Sequence, residues 1–127
     1  MTPGASISGI SPAYTVDELS YALVKSRSKF LFTTPACVGV ATAAAERAGI
    51  PRSNVFIIDG QINGFQTVKD LIQRGEQHGP SGQVDDLKIP SGLTNKDICA
   101  FLSFSSGTTG LPKAVYTIVS SHEKVQR

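Results

Sequence analysis

Apolar residues recur along the chain at two spacings, and the alternation between them predicts an α/β order of elements. Val16, Leu19 and Leu23 fall at helical spacing, with Asp17, Lys25 and Arg27 off that stripe, the pattern of an amphipathic helix. Thr15 followed by Glu18 has the spacing of a capping box, in which each side chain accepts from the other residue's backbone N–H, so this helix is expected to open at Thr15. Its acidic residues lie in the first turn and its basic ones near the end, as the helix dipole favours. Lys29–Thr33 (KFLFT) is a short apolar run, expected as a strand buried on both faces. Thr34-Pro35 then predicts a second helix, with proline at its first position. That helix is alanine-rich, with Val38, Ala41, Ala45 and Ala48 on one side, and Gly49 before Ile50-Pro51 marks its end. Val55–Ile58 (VFII) predicts the next buried strand, closed by Asp59-Gly60.

Strand, helix and strand in this rhythm imply a right-handed βαβ crossover. A third helix is expected from Thr67 to Arg74, with Val68, Leu71 and Ile72 inward and Gly75 at its end. Residues 76–94 turn polar and rich in Gly, Ser, Asp and Pro, a composition that predicts a surface loop. Asp97 precedes the strand-like run ICAFLSF, and Thr2–Ala13 reads as an extended lead-in ending near Pro12. The expected fold class is therefore α/β: a partial parallel sheet built from KFLF, VFII and CAFLSF with flanking helices.

Composition narrows the function classes. The 127 residues suit one modest domain, with no internal repeat. A net charge of +2 and scattered Lys and Arg argue against nucleic acid as a partner. No apolar run approaches a membrane span, and the opening MTPGASISGIS lacks the regions of a signal peptide; a cytoplasmic location is expected. Cys37 and Cys99 stand far apart with no His or Cys at metal spacing, so both read as reduced thiols and no metal site is expected. His78 and His122 sit in polar surroundings and read as solvated.

The chemistry concentrates in Phe101–Lys113, FLSFSSGTTGLPK. An apolar run leads into six Ser, Thr and Gly residues, then Leu-Pro and a lysine. Gly107 and Gly110 permit the conformations with which backbone N–H groups can surround an anion, and Lys113 adds a compact positive charge. Composition alone favours a plain turn between strands, by roughly three to one; the order of the residues reverses this. The order does not fit a Walker P-loop: Lys113 follows Gly110 too soon, no Ser or Thr comes after it, and Pro112 stands where a helix would start. AVYTIV looks like a strand, so the loop is expected to join two strands.

Ser105–Val115 (SSGTTGLPKAV) resembles the phosphate-binding signature of the adenylate-forming, or AMP-binding, superfamily, which includes acyl- and aryl-CoA synthetases and luciferases. A second stretch supports the resemblance: Pro12, Tyr14, Thr15, Glu18, Leu19, Leu23 and Ser26 resemble a region of fatty acyl- and aryl-CoA synthetases, with Ser11 where Asn is usual, and within the superfamily the chain looks closest to the 4-coumarate-CoA-ligase-like branch. The resemblance implies an ATP-dependent ligase that activates a carboxylic acid as its acyl-adenylate and then forms a thioester with coenzyme A, with Mg²⁺ accompanying ATP. It implies that Ser105, Ser106, Gly107, Thr108, Thr109 and Gly110 cradle the ATP phosphates, with Lys113 beside them; none is a proton-transfer catalyst.

Members of that family are several times longer. The chain thus reads as residues 1–127 of a partial adenylation domain, a fragment of the large N-terminal domain, inactive alone and ending in a divergent tail at 116–127. His122 is out of register for the family's histidine after the loop, and the break after Val115 suggests a truncated product or a retained intron. Longer relatives could be peroxisomal. The alternative is a non-catalytic binding or regulatory module that associates with a full-length relative.

Overall fold

The computed structural model describes residues 5–82, 88–94, 97–105 and 113–118. The elements in order are β1 (Ile7–Gly9), α1 (Val16–Ser26), β2 (Leu31–Thr33), α2 (Val38–Arg47), β3 (Val55–Ile57), β4 (Gln66–Thr67), α3 (Val68–His78), β5 (Cys99–Ser105) and β6 (Lys113–Ile118). They fall into two compact units, one formed by residues 10–83 and the other by the two ends of the chain, 1–9 and 84–127.

In the 10–83 unit, β2, β3 and β4 form a parallel three-stranded sheet, with Leu31 opposite Val55 and Phe56 opposite Gln66. α1 and α2 cover one face. Leu23, Ala44, Ala45, Ile50 and Val55 form its buried core, with Val16, Leu19 and Leu31 packed against it. The small side chains of Ala41, Ala44 and Ala45, all buried, let α2 approach closely. α1 opens as its sequence predicts: the Glu18 N–H donates to Thr15 Oγ1 and the Thr15 N–H donates to Glu18 Oε2. It closes at Arg27, a non-glycine residue at φ 53°. Arg47 near the end of α2 is paired with Asp17 in the first turn of α1.

Four sequence expectations change in this unit. The run 29–33 is not buried on both faces, because Phe30 and Phe32 remain 58% and 48% exposed on the face opposite the helices. There Phe32 stacks on Phe56, ring centroids 5.4 Å apart. α2 does not start directly at Pro35; a 3₁₀ turn over Pro35–Cys37 precedes it. α3 passes through Gly75 to His78, so the stretch expected as loop from 76 begins with helix and a 3₁₀ turn. The positive φ that ends a helix is taken by Gly79 instead. Finally, Ile72 on α3 is exposed, and no residue of that helix is fully buried.

The second unit holds a separate sheet, ordered β1-β5-β6. β5 runs parallel to β1 (Ile7 opposite Phe101) and antiparallel to β6. This corrects the single sheet expected from KFLF, VFII and CAFLSF: the last of these pairs with β1 and β6, not with β2 or β3. Apolar runs of similar length carry no label for their partner, and strand pairing is settled by contacts distant in sequence.

Candidate functional site

β5 is the inner strand of its sheet and is held on both edges. On one side the Ser6 hydroxyl donates to the Cys99 carbonyl at 2.5 Å, just before β1 and β5 come into register. On the other side Phe104 lies opposite Ala114 and Ser105 opposite Lys113. The entry to β5 is also fixed. Thr94 donates through its N–H and its hydroxyl to the Asp97 carboxylate at 2.7 and 2.9 Å, and the Asp97 N–H returns to the Thr94 carbonyl. The two bonds to the carboxylate, the one from the Thr94 N–H foremost, hold the Asp97 carboxyl below its ordinary pKa, because they favour the charged form.

The expected site is thereby placed at its two ends. Ser105 is the last residue of β5 and Lys113 the first of β6, and their backbones are paired register partners. Ser106, Gly107, Thr108, Thr109 and Gly110 lie outside the described residues, as do Leu111 and Pro112. The expectation that this stretch joins two strands is met, and the two strands are antiparallel neighbours. His122 and the tail from 119 onward also lie outside the described residues, whereas Tyr116–Ile118 belong to β6.

Two supporting features escaped the sequence reading: the Thr94–Asp97 clamp and the parallel pairing of β1 with β5. The first had a legible signal, since a Thr followed three positions later by an acidic residue also occurs at Thr15–Glu18 and Thr67–Asp70. The second had none, because a three-residue strand some ninety positions away leaves no local mark.

The chemistry such a hairpin can offer is electrostatic. In the sequence, a run of small, donor-rich residues and a lysine stand between and at the head of the two paired strands, a composition that suits an anion with several oxygens. Among the described residues no group of three or more His, Cys, Asp and Glu could hold a metal ion, and none of their helices is long and apolar enough to cross a membrane. Cys37 and Cys99 are both free thiols.

Comparison with known proteins agrees with the resemblance drawn from Ser105–Val115. Residues 1–124 match the AMP-binding enzyme family. The acyl-CoA synthetase ACTT5 of Alternaria alternata is 33% identical over 123 residues, covering 94% of this chain and 20% of that protein. The acyl-CoA ligase sidI of Aspergillus fumigatus is 34% identical over 122 residues, covering 87% and 20%. Among solved structures, the anthranilate CoA ligase AuaEII bound to anthranoyl-AMP superposes with a TM-score of 0.66 at 21% identity, over 91% of this chain and 20% of that one. The luciferase-like enzyme of the mealworm Zophobas morio gives 0.61 at 24% identity, over 91% and 25%. These likenesses carry the fold, and the chain spans about a fifth of the length of the curated relatives it matches. With the family matched over nearly every residue, the chain belongs to the AMP-binding enzymes.

Proposed function

We propose that this chain supplies the ATP-phosphate-binding part of an acyl-CoA ligase, which activates a carboxylic acid as its acyl-adenylate and passes the acyl group to coenzyme A. The observation that carries the reading is the hairpin whose paired ends, Ser105 and Lys113, bracket the SSGTTGLPK signature. Ser105, Ser106, Gly107, Thr108, Thr109 and Gly110 form the cradle, and Lys113 offsets phosphate charge without hydrogen-bond acceptance. Mg²⁺ enters with the nucleotide and neutralises charge on the departing pyrophosphate; coenzyme A is the thiol acceptor. A cytoplasmic location and a place in the 4-coumarate-CoA-ligase-like branch belong to this same reading.

The 127-residue polypeptide by itself binds phosphate weakly and forms no thioester. Adenylation needs the carboxylate held in line with the α-phosphate, and orientation of that kind contributes roughly 7–11 kcal/mol. A phosphate cradle stabilises charge but does not orient the acid. The test is an assay of the purified chain with ATP, Mg²⁺, coenzyme A and a panel of carboxylic acids. The expected result is no acid-dependent AMP. Sustained AMP formation that tracks added acid and vanishes in Lys113→Ala would overturn the inactivity while supporting the ligase assignment.

A further inference from the structure

Two of the chain's asparagines, Asn54 and Asn63, lie among the described residues, and they stand in opposite circumstances. Asn54 ends the 3₁₀ turn Arg52–Asn54 that leads into β3. Its Nδ2 donates to the Lys29 carbonyl at 3.0 Å. The residue after it is Val55, β-branched and 1% exposed. Asn63 lies in the connection between β3 and β4, is exposed, and is followed by glycine.

Residues 62–65 form a turn closed by one bond, from the Phe65 N–H to the Ile62 carbonyl at 3.2 Å, at the long end of the ordinary range. Gly64 sits at φ 83° and Asn63 keeps a negative φ, the pattern of a type II turn with glycine at its third position. Among the described residues neither the Asn63 amide nor the Gly64 N–H enters a hydrogen bond with another residue. Arg52 flanks the same turn. Its Cζ lies over the Phe65 ring, 4.3 Å from the centroid, and a Cβ built on Gly64 would come within 3.3 Å of its Nη2. A cation is thus held beside a backbone nitrogen whose residue has no side chain, next to a carboxamide that nothing ties down.

We propose that Asn63 is a site of spontaneous deamidation, with the Gly64 nitrogen as nucleophile and Arg52 as the cation that promotes the reaction. The Gly64 N–H gives its proton to water, and the nitrogen attacks Asn63 Cγ. A Cγ–N bond forms, the Cγ–Nδ2 bond breaks, and the side-chain amide leaves as ammonia, which closes a five-membered succinimide ring. Water then opens the ring at either carbonyl, to give aspartate or an isoaspartate whose main chain runs through Cβ and Cγ. Ammonia leaves and water enters, with no change of oxidation state. Negative charge builds on the nitrogen and then on the oxygen at Cγ, and a guanidinium already in place beside them stabilises both. Glycine at 64 leaves the approach open and the backbone free to turn. The rotation at Asn63 that joins the two atoms breaks one long hydrogen bond. At Asn54 the same step would break the bond to Lys29 and displace Val55 from β3. The product carries a new negative charge near Arg52, and the isoaspartate form lengthens the connection to β4 by one main-chain atom. The site lies wholly within the 10–83 unit and does not depend on the phosphate-loop reading.

The test incubates the full chain in ¹⁸O-water at neutral and mildly alkaline pH, folded and in urea, and follows its peptides by mass spectrometry. In the folded chain the peptide holding Asn63 is expected to take up ¹⁸O in place of the amide nitrogen, as a mixture of aspartate and isoaspartate, faster at the higher pH. Asn54 should keep its amide over the same period, a comparison that needs no variant. Arg52→Gln should slow the folded chain several-fold and leave the rate in urea unchanged, whereas Arg52→Lys should retain most of the parent's rate. A substitution that merely loosened the turn would speed conversion instead. Asn63 intact in the folded chain after the urea sample has converted, Asn54 converting as fast as Asn63, or folded Arg52→Gln keeping the parent's rate would each overturn the proposal.

Discussion

Ser105 and Lys113 face each other as the last register pair of the antiparallel strands β5 and β6. The pairing joins the two ends of the candidate phosphate-binding stretch as backbone neighbours. Charge at the head of β6 is then separable from the fold of the hairpin. Lys113→Ala should lower the affinity for ATP by about tenfold. Lys113→Arg should restore only part of it, because a planar guanidinium does not replace a compact ammonium at the same distance. Nucleotide titration followed by fluorescence or calorimetry checks this, with circular dichroism confirming an unchanged fold.

Acid should weaken the chain through its three threonine clamps. Glu18, Asp70 and Asp97 each accept a backbone and a hydroxyl hydrogen bond from the threonine three positions earlier, which holds their pKa below the ordinary 4.5 and 3.8. A carboxylate whose pKa is lowered by folding contributes stability above its unfolded value and loses it as pH falls through the folded one. Urea midpoints should thus be level near neutrality and begin to fall at about pH 4.5, declining further below about pH 3.8. Asp70→Asn removes the titrating carboxylate of one clamp; its midpoint should be lower at neutral pH and its decline in acid shallower. A decline as steep as that of the parent would remove Asp70 from this account.

The parallel sheet should be most sensitive at Ile57, which is fully buried in β3 between β2 and β4. Ile57→Ala should cost about 2–5 kcal/mol, through lost burial and the cavity left behind. In a unit this small that approaches the whole stability, so Ile57→Val, at about 1 kcal/mol, is the practical variant. Phe32→Ala should cost less than Ile57→Ala, because Phe32 is half exposed and loses chiefly its stacking on Phe56. Denaturant unfolding of the two alanine variants ranks them directly.

Local chemistry made much of this protein legible in its residues. Thr15 and Glu18 announce the start of α1 because a capping box needs only two side chains three positions apart. The alanines of α2 and the glycine at 49 mark a close-packed helix and its end. The SSGTTGLPK order, set between two apolar runs, places the candidate phosphate loop between strands before any pairing is known. Thr67–Asp70 was equally readable and carries the same box. Tertiary structure decided the rest. Gly75 stays helical because glycine inside a helix costs only about 1 kcal/mol against alanine, and Gly79 takes the positive φ further on. Phe30 and Phe32 look like core residues in a string of letters, yet only helix packing on the other face of β2 determines which side is covered. The assignment of β5 to β1 and β6, apart from β2 and β3, depends on backbone pairing across most of the chain. Apolar runs state that a strand forms; which strand lies beside it is settled only when the whole chain folds.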